Sequence, residues 1–347
     1  MGKDATIMDI AKETGVSAAT VSYVLNGKKS ISSKTKEKIF AAIKKLNYVP
    51  NINARSLTTK DSLLIGVFIP QTEPGNNLMF ENAFYGEILS AIEYEARING
   101  YHLFISGAGI GEDYLSLTRK RSLDGIIAIG VYPGKVFQEI EKSSIPLVLV
   151  DSYCGDNSHS VIRIDDSYGS CLAAKYLLEK GHRDIAFFSG RIRGSGVMQK
   201  RLAGFKQALK ECGQPFRGTY VFSQNVDFEG GVVLAQKMLD SGIPVTAVAA
   251  AADVLAIGAI KTFSAAGLRV PDDISIIGFD DLRITRYISP GLTTVHQPIS
   301  LKGKKAVELL MEHIKNPGLP KRVEILPLSV VERDSVRAPG KKSRRHV

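Results

Sequence analysis

The sequence is poor in cysteine and has no long apolar run. Its three cysteines, Cys154, Cys171 and Cys212, are odd in number and widely spaced, which favours free thiols in a reducing compartment over a disulfide framework or a metal site. No apolar stretch approaches the ~20 residues of a membrane-spanning helix, and the N-terminus lacks the apolar segment of an export signal. We therefore expect a cytoplasmic protein that is not associated with a membrane.

Motifs for cofactor, metal and nucleophile chemistry are also absent. The glycine-rich segment SGAGIG (106–111) is followed by Glu112, where a dinucleotide-binding loop needs its last glycine. The six histidines do not have the spacing of a zinc site, and no serine-nucleophile or kinase signature is present. We expect no cofactor, no metal and no enzymatic activity.

Acidic residues are scarce at both ends of the chain. Residues 1–60 contain eleven lysines and arginines against four aspartates and glutamates, and residues 337–347 contain five basic residues and no acid. The net charge of +10 therefore lies at the termini, and residues 61–336 carry −2. A basic N-terminal block indicates a polyanionic partner, with DNA the first candidate. The basic tail, 338–347, is expected to be a disordered, solubilising end.

Residues 6–46 have the pattern of three short helices. Thr6 is placed to cap the first helix, Ser17 the second, and Ser32 or Ser33 the third. The segment DIAKETGVSAATVSYVLNG then has a short helix, a glycine-containing turn and a second helix, which is typical of a helix-turn-helix. An ordinary helical hairpin has the same pattern, and the basic charge of the block favours DNA binding.

From residue 62, apolar segments alternate with amphipathic ones. Near-continuous apolar runs indicate strands that are buried on both faces, and hence parallel sheets flanked by helices. The runs are too many for one small sheet, so we expect two α/β lobes with a cleft between them. The predicted strands are 63–69, 101–106, 125–130, 146–151, 184–190, 246–252 and 274–280.

Carboxylates follow three of these predicted strands. Asp151, Asp253 and Asp280 stand at or just after strand ends. Because ligands of open α/β sheets lie beyond the carboxyl ends of the strands, we expect the three acids to line one cleft. Each acid taken alone is better explained as a helix cap or a loop residue, and it is the convergence of three that favours a ligand site.

The N-terminal segment TIMDIAKETGVSAATVSYVLNGKKSISSKTKEKIFAAIKKLNYVPNINARSL resembles that of the lactose repressor family of bacterial transcription regulators. The motifs LLIGVFIP, GHRDIAFFSG, KRLAGF, DISIIGFDD and LTTVHQP follow in the order that the family uses. The resemblance covers nearly the whole chain. It implies an α/β fold with a three-helix helix-turn-helix headpiece, a hinge helix and a two-lobed core like that of periplasmic sugar-binding proteins, with parallel sheets.

The resemblance also implies a function. Family members bind a palindromic operator DNA as dimers and respond to a small-molecule effector in the cleft. For this chain we expect a homodimeric repressor of carbohydrate uptake or catabolism genes, with a sugar or sugar phosphate as effector. A nucleobase or nucleoside is the second candidate, and whether the effector releases or promotes DNA binding is left open.

The resemblance assigns roles in DNA binding. Ala18, Ala19 and Tyr23 fall where members carry base-reading side chains, and an alanine contacts a thymine methyl rather than forming hydrogen bonds. Leu57 matches a leucine that wedges into the minor groove, and Ala54 lies in the same hinge segment. The residues assigned to phosphate contacts or their support are Thr6, Ser17, Thr20, Ser22, Asn26, Ser32, Thr35 and Asn51.

The resemblance also assigns effector contacts. Arg201 matches the arginine that clamps the ligand, and Phe84 and Tyr85 fall where members stack an aromatic ring on it. Gln297 lies near a crossover between the lobes, and Asn225 is a weaker candidate.

One departure from the family concerns the end of the strand at 246–252. Members commonly carry Asn-Asp there, and this chain has Ala252 followed by Asp253. One amide of the usual monosaccharide site is therefore missing.

The expected domain boundaries follow from the same reading. The headpiece is 1–50 and the hinge helix with its linker is 51–61. The lobes, each made of two segments, are expected at 62–163 with 293–323 for the first and at 164–292 with 324–337 for the second.

Two other functions fit an α/β core. A solute-binding protein of a transporter would share the core but would need an export signal or lipobox. An enzyme would need a paired acid–base motif or a nucleophile. Neither feature is found in the sequence. The C-terminus has no heptad helix for tetramer formation, which favours a dimer.

Overall fold

The computed structural model describes residues 5–25, 31–48, 62–70, 82–108, 122–130, 145–153, 159–192 and 196–340. The chain divides into two compact units, 1–62 and 63–347. Several expectations concern residues outside the described ranges: Cys154, Asn26, Asn51, Ala54, Leu57, the hinge at 51–61 and residues 341–347 of the basic tail.

The first unit contains the three expected helices, α1 (Ile7–Thr14), α2 (Ala18–Leu25) and α3 (Ser33–Lys45). Thr6 and Asp9 form a complete capping box at the start of α1. The backbone of Gly15 ends that helix at φ 65°, a left-handed conformation that suits glycine. Ser32 rather than Ser33 is the N-cap of α3.

A small apolar core joins the three helices. It consists of the buried side chains Ile10, Ala11, Val21, Val24, Ile39 and Ala42. These residues recur at helical spacing on each helix, so one face is buried and the other remains exposed. The buried face fixes the angle between α1 and α2, and the exposed face of α2 carries the residues assigned to DNA.

The second unit consists of two α/β lobes. Its strands are β1 (Leu64–Pro70), β2 (His102–Ala108), β3 (Gly125–Ile129), β4 (Leu147–Val150), β5 (Ser160–Ile164), β6 (Ile185–Ser189), β7 (Val221–Ser223), β8 (Ala247–Ala250), β9 (Ser275–Asp280), β10 (Thr293–His296), β11 (Val323–Leu326) and β12 (Ser329–Val331). Its α-helices are α4 (Ala83–Ile98), α5 (Asp166–Glu179), α6 (Val197–Glu211), α7 (Phe228–Asp240), α8 (Asp253–Ala265) and α9 (Ile299–Lys315). Short 3-10 helices lie at Gly218–Tyr220 and Arg283–Arg286.

Each lobe has a six-stranded sheet. The first lobe has the order β11-β5-β4-β3-β1-β2, and all its strands are parallel. The second lobe has the order β12-β10-β9-β8-β6-β7, and only β12 is antiparallel. Helices α4 and α9 pack on the first sheet, and α5 to α8 pack on the second. All seven predicted strands are confirmed, as is the two-lobed parallel architecture.

The chain passes between the lobes at three places. It leaves the first lobe after β5, returns after β10 and crosses again between β11 and β12. The boundaries expected at 292/293 and 323/324 therefore differ from the sheet topology. Strand β10 belongs to the second lobe and β11 to the first, because Thr293 pairs with Ile277 of β9 and Val323 pairs with Val161 of β5.

None of the helices in the described ranges is long and apolar enough to span a membrane. Among the same residues, no cluster of histidine, cysteine and carboxylate side chains is arranged to hold a metal ion.

Candidate functional site

The surface of α2 presents the residues that the sequence assigns to base reading. Ala19 and Tyr23 are exposed, and Ala18 is partly buried against the small helical core. Val21 and Val24 between them are buried. Tyr23 is 44% exposed, so part of its ring faces solvent on the outer surface of α2.

Hydroxyl groups mark the starts of α2 and α3. Ser17 Oγ accepts a hydrogen bond from the backbone N–H of Thr20 at 3.1 Å, and the two hydroxyl oxygens lie 2.9 Å apart. Ser32 and Thr35 repeat this arrangement at the start of α3, with hydroxyl oxygens 2.8 Å apart. Hydroxyls at helix N-termini are suited to phosphate oxygens.

A cavity of about 150 Å³ lies between the two lobes, where the carboxyl ends of β4 and β9 meet. A cavity of this size accommodates a molecule of about one six-membered ring. Six of the eight residues assigned to the effector line it: Phe84, Tyr85, Asp151, Arg201, Asp280 and Gln297. The remaining lining residues are Asn82, Ile129, Gly130, Val197, Met198, Val226 and Ala252.

Both acidic residues in the cavity wall leave their strands in an unusual backbone conformation. Asp151, which follows β4, has φ 52°, and Asp280, the last residue of β9, has φ 123°. Positive φ values are uncommon for residues other than glycine and often mark functional sites. In both cases the turn directs a carboxylate into the space between the lobes.

Arg201, on α6, is buried among three acceptors. Its Nε donates to Asp166 Oδ1 at 2.7 Å, and its Nη1 donates to the carbonyl oxygen of Ala251 at 2.5 Å and to Asp280 Oδ1 at 3.5 Å. The guanidinium lies 3.6 Å from the centroid of the Phe279 ring. Burial lowers the pKa of Arg201, but the charges of Asp166 and Asp280 outweigh that effect and raise it.

A lysine completes the polar wall behind Asp151. The Nζ of Lys302, on α9, donates to both carboxylate oxygens of Asp151 at 2.8 Å and to Gln297 Oε1 at 2.5 Å. Gln297 Nε2 in turn donates to Asp280 Oδ1 at 2.6 Å. A continuous chain of hydrogen bonds therefore joins the acid of the first lobe to that of the second.

Lys302 and Asp166 were not among the residues predicted from the sequence. A signal for Lys302 was present, because it stands at helical spacing with Ile299, Gly303 and Ala306 on the buried face of α9. Asp166, at the start of α5, is 1% exposed and accepts a hydrogen bond from the hydroxyl of Tyr153 at 2.6 Å. In the sequence, Asp166 resembles any acidic residue in the first turn of a helix, and nothing there indicates a position beside the cavity.

Burial changes the acid–base behaviour of the cavity. It raises the pKa of Asp280 to about 6, although Arg201 and Gln297 favour the ionised carboxylate. Burial also raises the pKa of Asp151, against the opposing effect of Lys302. The pKa of Tyr85 is raised to about 12 by burial and by the negative charges of Asp151 and Asp280. Tyr85 is therefore a neutral donor at physiological pH.

Asp253 does not line the cavity, contrary to the expectation from the sequence. Its carboxylate points away into the second lobe, where it accepts hydrogen bonds from the backbone N–H of Leu282 at 2.8 Å and from Thr294 Oγ1 at 2.6 Å. A Cβ at Gly278 would lie 2.1 Å from Asp253 Oδ1, so glycine is required there. The side chain does not cap its helix either, since the N-cap is Ala252.

Asn225 also lies outside the cavity wall, and its neighbour Val226 lines the cavity instead. The Oδ1 atom of Asn225 is buried and has no hydrogen-bond partner among the described residues. The weaker effector assignment for Asn225 is therefore not supported by its position.

Two hydrogen bonds join the lobes beside the cavity. Asn82 Nδ2, at the start of α4, donates to the carbonyl oxygen of Val226 at 3.3 Å. The backbone N–H of Arg283, just after β9, donates to Glu87 Oε1 of α4 at 2.8 Å. Both bonds connect a first-lobe helix to a second-lobe segment that borders the cavity.

Comparison with known families gives two matches. The model described as bacterial regulatory proteins, lacI family, matches residues 6–51, and the periplasmic binding protein-like domain matches residues 174–336.

Comparison with individual proteins extends the match over the chain. The ribose operon repressor of Haemophilus influenzae is 34% identical over 338 residues, which cover 96% of this chain and 98% of that protein. The HTH-type transcriptional repressor PurR of Vibrio parahaemolyticus is 34% identical over 340 residues, with 96% and 99% covered.

Solved structures show the same relationship. The Lac repressor dimer bound to operator and the anti-inducer ONPF superposes with a TM-score of 0.84 at 29% identity, covering 97% of this chain and 100% of that one. A LacI family transcriptional regulator from Enterococcus faecium with bound ribose superposes with a TM-score of 0.72 at 27% identity, covering 80% and 100%.

Proposed function

This chain belongs to the lacI family of bacterial regulatory proteins, and we propose that it is a homodimeric repressor that binds operator DNA and responds to an uncharged sugar in the interlobe cavity. The headpiece carries the DNA-binding surface, and the cavity carries the effector. The effector acts by binding one arrangement of the lobes more tightly than the other. The protein works in the cytoplasm, where its operator is.

The observation that carries this proposal is the convergence of polar groups from separate elements on one small cavity. Asp151 comes from the end of β4, Asp280 from the end of β9, Arg201 from α6 and Gln297 from the crossover to α9. Carboxylates and amides of this kind form directional hydrogen bonds with hydroxyl groups, and each charged hydrogen bond contributes about 1.5–3 kcal/mol. Phe84 supplies an apolar face for the carbon skeleton of a ring.

The charges around the cavity support an uncharged effector over a phosphorylated one. The buried acids are Asp151, Asp166 and Asp280, and the buried cations are Arg201 and Lys302. Both cations are already paired with carboxylates, so their positive charges are balanced before any phosphate enters. A dianionic group would enter a site whose formal charge is already negative, which is costly in a region of low dielectric constant.

Titration calorimetry with D-ribose, D-ribose 5-phosphate and hypoxanthine tests the effector class. Ribose is the first choice because the Haemophilus influenzae relative is a ribose operon repressor. We expect ribose to bind and ribose 5-phosphate to bind at least tenfold more weakly. Tighter binding of the phosphate would contradict the charge argument, and binding of hypoxanthine alone would replace the sugar by a nucleobase.

For DNA, we propose that Ala18, Ala19 and Tyr23 read bases from the exposed face of α2. The hydroxyls of Ser17, Thr20, Ser32 and Thr35 would contact phosphates, with Thr6 and Ser22 in support. Leu57 and Ala54 of the hinge, together with Asn26 and Asn51, complete the proposed interface. This assignment is supported by the exposure of Ala19 and Tyr23 and by the capping hydroxyls described above.

Deletion of residues 1–60 tests whether the headpiece is required for DNA binding and the core binds the effector without it. An operator is first selected from random DNA by the full-length protein. The deleted chain should not bind this DNA in a mobility-shift assay and should bind ribose with unchanged affinity. Retained operator binding after the deletion would contradict the proposal and would point to a solute-binding or other role for the core.

A further inference from the structure

Lys302 is the largest charged side chain that is completely buried in the described part of the second unit. It is 0% exposed, and its ammonium lies next to the cavity without forming part of the lining. A buried lysine is costly unless it is paired and hydrogen-bonded, so its presence on the apolar face of α9 requires an explanation.

The hydrogen-bond count excludes a direct role in holding an anionic effector. An ammonium group has three N–H donors. Lys302 Nζ uses them on Asp151 Oδ1, Asp151 Oδ2 and Gln297 Oε1, all at hydrogen-bond distance. No N–H donor of Lys302 remains for a ligand. Its hydrogen bonds go instead to Asp151 and Gln297, which both line the cavity.

The first consequence concerns the orientation of Gln297. A lysine ammonium cannot accept a hydrogen bond, so the atom of Gln297 that faces it must be the amide oxygen. The amide nitrogen is then directed to Asp280 Oδ1 at 2.6 Å. Lys302 thereby fixes the orientation of the Gln297 amide, with its oxygen toward Lys302 and its nitrogen toward Asp280.

The second consequence concerns the charge of Asp151. The charged and titratable groups that face this carboxyl are Lys302, Asp166, Arg201 and Tyr85. Of these, Lys302 is the only cation in direct contact with it among the described residues. Without that contact, burial and the charge of Asp166 would favour the protonated acid.

We propose that Lys302 is a positioning residue of the effector cavity, which acts through Asp151 and Gln297 and keeps Asp151 an ionised acceptor for a hydroxyl-bearing effector. The link to an effector rests on the function proposed above. The effect on Asp151 is a property of the free protein and can be measured without any ligand.

The ligand-free test uses thermal unfolding of the full chain from pH 5 to 8 for the wild type, Lys302→Met, Asp151→Asn and the double variant. In Lys302→Met the folded-state pKa of Asp151 rises further above its unfolded value. Such a group stabilises the fold at low pH, and this contribution is lost as the pH rises. The deficit of Lys302→Met against the wild type should therefore grow from pH 5 to 8. The deficit of the double variant against Asp151→Asn should grow much less, because only the effect of the Lys302 charge on the pKa of Asp280 then remains.

The ligand test uses calorimetry with D-ribose on the same four proteins at pH 7.5. We expect Lys302→Met to weaken binding at least tenfold. In the Asp151→Asn background the same substitution should weaken binding several-fold less than in the wild type, because one of the two residues through which it acts is already altered and only its effect on Gln297 remains. An equal loss in both backgrounds would show that Lys302 does not act through Asp151 and would overturn the proposal.

A matched control is Lys304→Met on the exposed face of the same helix, where the side chain is 53% exposed and paired only with Glu308 among the described residues. It should alter neither the pH profile nor the ribose affinity. If the wild type fails to bind ribose, the proposed effector is wrong, and the ligand-free pH profile still decides the role of Lys302. A pH-independent deficit in Lys302→Met would overturn that role.

Discussion

At the scale of single residues, the carboxyl of Asp280 combines an unusual pKa with a direct position in the cavity. Its pKa of about 6 means that it is ionised at pH 7 and above and becomes protonated in mild acid. Ribose affinity should therefore be steady from pH 7 to 8 and fall below pH 6, because a protonated carboxyl loses part of its capacity to accept hydrogen bonds. Calorimetry between pH 5 and 8 measures this dependence.

The substitution Asp280→Asn provides the comparison. The affinity for ribose should drop at pH 7.5, and the pH dependence of that affinity that remains should be due to Asp151 alone. The pH dependence of the unfolding free energy tests the pKa of Asp280 independently. Since the folded-state pKa of Asp280 lies above its unfolded value, its stabilising contribution is present below about pH 4 and is lost as the pH rises through about 6. A wild-type affinity that is flat down to pH 5 would contradict this assignment.

Asp253 shows which part of the position of a single residue can be predicted from the sequence. Its position after β8 was predicted correctly, but the direction of its side chain was not. The carboxylate is 0% exposed and ties the segment after β9 to β10. That direction depends on Gly278 of β9 and Thr294 of β10, which lie far away in sequence, and no local pattern around Asp253 contains this information.

The location of Asp253 leads to a prediction about stability. Asp253→Asn is close to isosteric, because the amide oxygen can accept from the N–H of Leu282 while the amide nitrogen donates to the hydroxyl of Thr294. That variant should retain the stability and the ribose affinity of the wild type. Asp253→Ala leaves the N–H of Leu282 without an acceptor and should lose about 2 kcal/mol of unfolding free energy. Urea unfolding measures both, and a tenfold loss of ribose affinity in Asp253→Asn would restore the residue to the effector site.

At the scale of elements, strands were predicted correctly where the apolar residues of the segment itself indicate that it is buried. Six of the seven apolar runs are strands whose residues are almost all buried, and the seventh, β2, is an edge strand with partly exposed side chains. Strands β5, β7, β10, β11 and β12 are not among the seven predicted strands. Strand β10 (TTVH) is polar but central, and its Thr293 and Thr294 hydroxyls are bound by partners from distant segments. Strands β11 and β12 are short edge strands whose side chains are largely exposed.

Helix α2 is the element on which the DNA assignment can be tested. Tyr23 is exposed on α2, whereas its neighbours Val21 and Val24 hold the helix in the core. Tyr23→Ala should leave the fold of the headpiece intact and weaken binding to the selected operator about tenfold, the effect of losing one good base contact. Mobility-shift titration measures it. Tyr287→Ala is the control, because Tyr287 is 79% exposed in the second unit, and equal losses in the two variants would contradict a specific role for α2.

At the scale of the whole molecule, the cavity is also a junction between the lobes. The segment from Asp280 to Arg283 combines three connections. Asp280 lines the cavity, the N–H of Leu282 is held by Asp253, and the N–H of Arg283 donates to Glu87 on the first-lobe helix α4. An effector that contacts Asp280 therefore acts on the same short segment that ties the second lobe to the first, which is a physical route from ligand to lobe arrangement.

Glu87 allows this route to be tested without altering the cavity wall. Glu87→Ala removes the acceptor for Arg283 N–H, a partly exposed hydrogen bond worth about 1 kcal/mol, and should weaken ribose binding about fivefold by favouring open lobes. If the closed arrangement is the one that ribose selects, the change in operator affinity caused by saturating ribose should shrink as well. Glu93→Ala is the matched control, since Glu93 pairs with Arg97 on the same helix. Unchanged ribose affinity in Glu87→Ala would show that the contact between α4 and Arg283 does not contribute to lobe closure.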